Sequence, residues 1–163
     1  MGILDIFNSQ PTTPTVPSVL PEAARQQILR GQLPILQLNN LFLKNGEVCH
    51  YVDRAIYEKR TVNKKRIRKN TGYSMPGLFK GTRVHVGNSE YVDDVKYSTI
   101  KGVLYITTKR IIFVGGADGF DRKTEDLVAV TPYANCIEFQ FSKETLKLFV
   151  PDGNLPHIVL RLI

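Results

Sequence analysis

GVLYITTKRIIFVGG, residues 102–116, is the stretch on which the fold turns. Two runs rich in β-branched and aromatic residues, VLYIT and RIIFV, flank a Thr-Lys pair, the pattern of a tight β-hairpin. Both runs are apolar almost throughout, which predicts central strands of a small barrel. Downstream, TEDLVAVTPY, NCIEFQFS and TLKLFV read as further short strands separated by turn chemistry. In the middle one, Ile137, Phe139 and Phe141 alternate with Glu138 and Gln140, so that strand has one wet face. The chain closes on NLPHIVLRLI, where Pro156 suits the first turn of a short helix.

Working back towards the N-terminus, VCHYVDRAIYEKR (48–60) predicts a half-buried strand, TRVHVG (82–87) another, NSEYVDD a turn, and VKYST a short strand. KNGE (44–47) is a turn built on Asn-Gly. PEAARQQILRG (21–31) reads as a helix opened by Pro21 and stopped by Gly31. LPILQLNNLFL (33–43) is ambiguous: Ile35, Leu38 and Phe42 fit a helical stripe, Leu36 and Leu38 a strand, and a short second helix is favoured. Residues 8–18, with three prolines among small polar residues, are a linker behind an apolar plug of Ile3, Leu4, Ile6 and Phe7. The expected organisation is a flexible leader at 1–18, a helical segment at 19–43 and a β domain at 44–163. The class is mainly β (α+β), with about seven antiparallel strands between an N-terminal helical segment and a short C-terminal helix.

The central hairpin, the Gly46-Glu47 pair that leads into the first strand, and DLVAVTPYANCIEF resemble GRAM-type and bacterial pleckstrin-homology-like domains over residues 41–163. The resemblance implies a bent, partly closed antiparallel barrel with one end capped by a C-terminal helix. That helix is usually longer than PHIVLRLI allows, which leaves three alternatives: a short cap, the N-terminal helix in its place, or a barrel end open to a partner. In related lipid-binding domains, basic residues on the loop after the first strand grip phosphates. Here that loop corresponds to Lys59, Arg60, Lys64, Lys65, Arg66, Arg68 and Lys69.

Charge singles out the same segment. The chain is +7, yet residues 54–83 hold ten basic side chains against one acid, Glu58, and the remainder sums to −2. A concentrated positive field attracts anions. Arg66-Ile67-Arg68 has the spacing that sets both guanidinium groups on one face of a strand. Three readings stay open: a solvated loop, contact with phosphoinositide or anionic membrane, and contact with nucleic acid or an acidic protein surface. Each Lys or Arg near an anionic leaflet contributes about 1 kcal/mol. Dedicated single-strand binders interleave aromatics among their cations. Residues 58–70 contain none, and Tyr57 and Tyr73 only flank them, which ranks nucleic acid third.

No constellation for catalysis assembles. Cys49 and His50 are strand neighbours and point to opposite faces, so this His cannot activate this Cys. With two distant cysteines, neither a disulfide nor a CxxC zinc site is expected. The glycines at 72, 77 and 81 lack the context of a phosphate loop, and Asp118 and Asp121 lack calcium-loop spacing. His85, between two valines, reads as a half-exposed sheet residue. The start, MGILDIFNSQPTTP, has no basic n-region, and Ile6 stands where myristoylation prefers Ser or Thr. The expectation is a non-enzymatic cytoplasmic module without cofactor, touching membrane phospholipid at the inner face through its basic loop. A protein–protein adaptor using the leader or open strand edges is the alternative.

Overall fold

The computed structural model describes residues 13–68, 74–76, 83–85 and 89–163, with side chains described for 13–65 and 91–163. Its strands are β1 (Cys49–Arg68), β2 (Ser74–Pro76), β3 (Arg83–His85), β4 (Ser89–Thr107), β5 (Arg110–Gly115), β6 (Gly119–Lys123), β7 (Leu127–Pro132), β8 (Cys136–Phe141) and β9 (Thr145–Phe149). Helices α1 (Glu22–Leu29) and α2 (Asn154–Leu162) stand near either end of the chain. The chain divides into two units, Met1–Lys59 with Thr99–Ile163, and Arg60–Ser98.

In the larger unit the predicted hairpin forms around Thr108 and Lys109, with Leu104 opposite Phe113 and Ile106 opposite Ile111. It anchors a seven-stranded antiparallel sheet in the order β6-β5-β4-β1-β9-β8-β7. The edge strands β6 and β7 are joined by the single 3₁₀ turn Thr124–Asp126. A connection that short spans little more than 10 Å, so the sheet must curl until its edges approach. The edges do not pair, and the expected partly closed barrel is corrected to an open sheet.

The continuous apolar character of the hairpin has a clear cause: both faces of the sheet are covered there. On one face Leu104, Ile106, Ile111 and Phe113 join Tyr51, Ile137, Phe139 and Leu148, closed over by Ile28 of α1 and by Leu155 and Val159 of α2. Tyr57, Phe113 and Phe120 form an aromatic trio with centroids 5.4–5.7 Å apart. On the other face Cys49, Tyr105 and Ile112 are covered by Leu36, Leu38 and Leu41.

That second cover corrects the favoured helix at 33–43. Only α1 is helical in the N-terminal segment; residues 33–43 run as irregular chain, tied to the sheet by the bridge between Leu36 and Cys49. Burying three leucines on a sheet face outweighs the weak helical preference of the same residues. Gly31 (φ +78°) and Gly46 (φ +75°) adopt the left-handed conformation that ends α1 and turns the chain into β1, as their positions predict.

The leader is corrected as well over its described part. Val16 is buried with Cys136 and Phe149. Ser18 Oγ donates to Asp53 Oδ2 at 2.7 Å, and the Val19 amide donates to Asp53 Oδ1 at 2.7 Å. Residues 1–12, including the apolar plug, lie outside the described residues. The short C-terminal helix forms as expected; α2 packs on α1, β7 and β8, so the two helices share the covering of the core. No helix among the described residues is long and apolar enough to cross a membrane.

In the smaller unit β1 and β4 continue as neighbouring strands, and β2 pairs with β3, Ser74 opposite His85 and Pro76 opposite Arg83. Two expectations fail here. The basic run from Lys59 to Arg68 is strand, and the turn expected at NSEYVDD is, from Ser89 on, the first part of β4. Each strand satisfies the other's backbone groups, and acids on β4 offset the repulsion among cations on β1.

Candidate anion-binding surface

The seven predicted anion-binding residues fall in two units. Lys59 belongs to the larger unit, where its Nζ is hydrogen-bonded to Asp118 Oδ2. That hydrogen bond raises the Lys59 pKa and, with the Gly119 amide, lowers that of Asp118. Lys59 is thus matched by its own carboxylate and leaves the candidate site.

The smaller unit holds the rest: nine basic residues and three acids between Arg60 and Ser98, a net +6 out of the chain's +7. Lys65 Nζ lies 3.0 Å from Asp94 Oδ2, an exposed pair whose hydrogen bond lowers the Asp94 pKa. This pair sets Lys65 and Asp94 on one face of the two-stranded ribbon. Side chains alternate along a strand, so Arg60, Val62 and Lys64 of β1 face the other way, as do Tyr91, Asp93 and Tyr97 of β4, while Val92 shares the face of Asp94. Arg60 and Lys64 are exposed and have no carboxylate partner among the described residues. Arg66 and Arg68 lie in β1 by their backbone; their side chains, and all of Lys69, fall outside the described residues.

Every residue from Thr61 to Lys65 is exposed, which fits a ribbon with solvent on both faces. Its exposed apolar side chains stand out: Tyr91 at 71%, Tyr97 at 64%, and Val62 and Val92 at more than 40%. Isolated exposed apolar residues are ordinary, but Val62, Tyr91 and Tyr97 on the face that also carries Arg60, Lys64 and Asp93 make a mixed apolar and charged surface. Reading the basic run alone missed Tyr97, Val62 and Val92, because the tyrosines arrive from a neighbouring strand some thirty residues later. The signal present in the sequence was the pair of tyrosines bracketing Asp93 and Asp94. Tyr73 lies outside the described residues.

His50, Asp121 and the two cysteines are committed to structure. His50 Nδ1 donates to the Pro34 carbonyl at 2.7 Å. Cys49 and Cys136 are buried free thiols. Burial pushes Cys49 up to about 11, and Glu47 adds to the rise. Asp121 accepts from Arg110 at 2.7 Å. Among the described residues no three His, Cys, Asp or Glu side chains gather as metal ligands. Comparison with models of known families, with curated proteins and with solved structures finds no match to this chain.

Proposed function

We propose that this chain is a non-enzymatic binding module of the pleckstrin-homology-like type that attaches to an anionic phospholipid surface through its β1–β4 ribbon. The observation that carries the reading is the grouping of Arg60 and Lys64, which have no carboxylate partner among the described residues, with exposed Val62, Tyr91 and Tyr97 on one ribbon. Two cations near an anionic leaflet contribute about 2 kcal/mol, too little alone for attachment. Tyr and Val side chains entering the headgroup region add apolar burial, and Tyr suits that boundary because its ring is apolar and its hydroxyl polar. Aliphatic Val62 favours lipid over nucleic acid, since bases stack on aromatic faces and gain little from valine. The curled seven-stranded sheet with its C-terminal helix supports the domain type. On this reading the protein works at the inner, cytoplasmic face of a membrane.

Flotation of the full chain with phosphatidylserine-containing and with pure phosphatidylcholine vesicles tests the reading. Binding to the first alone, weakened by salt and by Arg60→Glu with Lys64→Glu, is expected. Equal flotation of the charge-reversed variant would remove the ribbon as the contact.

A second reading, a protein–protein module, draws on the unpaired edge of β7, where Val128 is 64% exposed. Such an edge can accept a strand from a partner.

A further inference from the structure

We infer that the larger unit carries a second binding site, a cleft for an amphiphilic anion: one carboxylate or phosphate on a hydrocarbon body. The cleft encloses about 530 Å³ between the β4–β5 turn, the 3₁₀ turn before β7 and the end of α2. That volume is in the range of small-molecule sites and well beyond what a lone phosphate fills. Lys44, Lys109 and Lys123 stand around it, and Leu127, Leu160 and Ile163 supply apolar lining.

The charge balance at the cleft is positive and unspent. Lys44 is exposed, and its ammonium has no partner among the described residues. Lys109 Nζ gives one proton to the Asn45 carbonyl at 2.9 Å and keeps two. Lys123 is 3.4 Å from Glu125, the one acid lining the cleft, and both side chains are more than 60% exposed. Arg110 also borders the cleft, but four of its five N–H donors are taken by Glu47, Asp121 and the Phe42 carbonyl. Three lysine side chains against one acidic side chain favour an anionic head; Leu127 and Leu160 in the lining favour a chain over a small hydrophilic ion.

The rim is also built in advance. Glu47 accepts the Lys44 amide at 2.6 Å and donates its own amide to the Lys44 carbonyl at 3.0 Å. The Lys109 amide donates to Thr107 Oγ1 at 3.2 Å, and Thr107 donates to Glu47. Both lysines therefore stand on backbone fixed to the same buried network. A rim ordered before binding reduces the entropy lost on capture.

Displacement of dansyl-undecanoate, at concentrations below micelle formation, tests the site on the full chain. Oleate and oleyl phosphate, which separate a carboxylate from a phosphate head, should each displace the probe. Oleyl alcohol and inorganic phosphate should not. Lys44→Glu with Lys109→Glu should weaken probe binding about tenfold or more, a loss of about 1.4 kcal/mol per decade, while Arg60→Glu with Lys64→Glu leaves it unchanged. Both lysines are exposed, and a thermal melt matching the parent chain confirms folding of the variant; Lys44→Gln with Lys109→Gln gives the milder control. Displacement by oleyl alcohol as strong as by oleate, displacement by inorganic phosphate, or unchanged binding to the Lys44/Lys109 variants would each overturn the proposal.

Discussion

Glu47 and Arg110, 63 residues apart in the chain, meet in a buried two-point ion pair, with Nε 2.8 Å from Oε1 and Nη2 2.9 Å from Oε2. The pair joins the turn that precedes β1 to the turn between β4 and β5. Thr107 and the Lys44 amide complete the carboxylate's hydrogen bonds, and Asp121 and the Phe42 carbonyl complete the guanidinium's. Removing one partner strands a buried charge, which typically costs 3–5 kcal/mol. Arg110→Met is therefore expected to lower stability by about 4 kcal/mol in urea unfolding, and Arg110→Met with Glu47→Leu to recover much of it.

The same pair predicts an acid limb. Burial on its own would raise the Glu47 carboxyl, but the hydrogen bonds from Arg110, Thr107 and Lys44 outweigh it and hold the pKa at about 2, against an ordinary 4.5. A depressed carboxyl stabilises the fold fully above its unfolded value and ceases to do so once the pH has fallen through its folded one. Stability should thus decline from about pH 4.5 towards pH 2 by about 3 kcal/mol from this group. Unfolding free energies measured across that range should show the slope, and the Glu47→Leu, Arg110→Met chain should show less of it.

Asp53 fastens the segment before α1. It is 1% exposed and accepts from Ser18 Oγ and the Val19 amide, with a third bond from the Arg54 amide at 2.9 Å. Asp53→Ala should release residues 13–20, seen as faster hydrogen exchange at Val19, and destabilise the chain by about 2 kcal/mol. Ser18→Ala, which removes one of the three bonds, should cost about 1 kcal/mol.

Tyr51 presents the opposite situation. It is fully buried, its hydroxyl has no hydrogen-bond partner among the described residues, and burial raises its pKa well above that of free tyrosine, with Asp53 and Asp152 adding to the rise. A buried hydroxyl without a partner carries a desolvation cost of about 1–3 kcal/mol. Tyr51→Phe should therefore stabilise the chain, by about 1 kcal/mol in thermal or urea unfolding; a loss of stability would mean the hydroxyl is satisfied in solution.

Cys49 is fully buried, with its thiol donating to the Tyr51 carbonyl at 3.3 Å and its pKa pushed up to about 11. A thiol so held is not a nucleophile at neutral pH. Iodoacetamide should leave Cys49 unmodified at neutral pH in the native chain and alkylate it readily in urea.

What the sequence made legible was local. The hairpin at 102–116, the alternation in β8, the Asn-Gly turn before β1 and both helices follow from periodicity and from Gly and Pro placement, and all stand in the structure. What it hid depends on partners distant in sequence. Leu36, Leu38 and Leu41 read as a weak helix because the face they cover is made by Cys49, Tyr105 and Ile112. Val16 and Ser18 read as linker because their partners are Cys136, Phe149 and Asp53. The cationic segment was legible by composition, but its strand conformation was not: β1 extends to Arg68 beside a neighbour that begins at Ser89. For the same reason Tyr91 and Tyr97 were not grouped with Arg60 and Lys64.

The most direct measurement places an environment-sensitive fluorophore on the ribbon itself, through Val62→Cys, since both native cysteines are buried. With phosphatidylserine-containing vesicles the label's emission should shift to the blue, salt should reverse the shift, and phosphatidylcholine vesicles should leave it unmoved. Vesicle binding with no change at position 62, or the same shift with a single-stranded oligonucleotide and none with vesicles, would contradict the account.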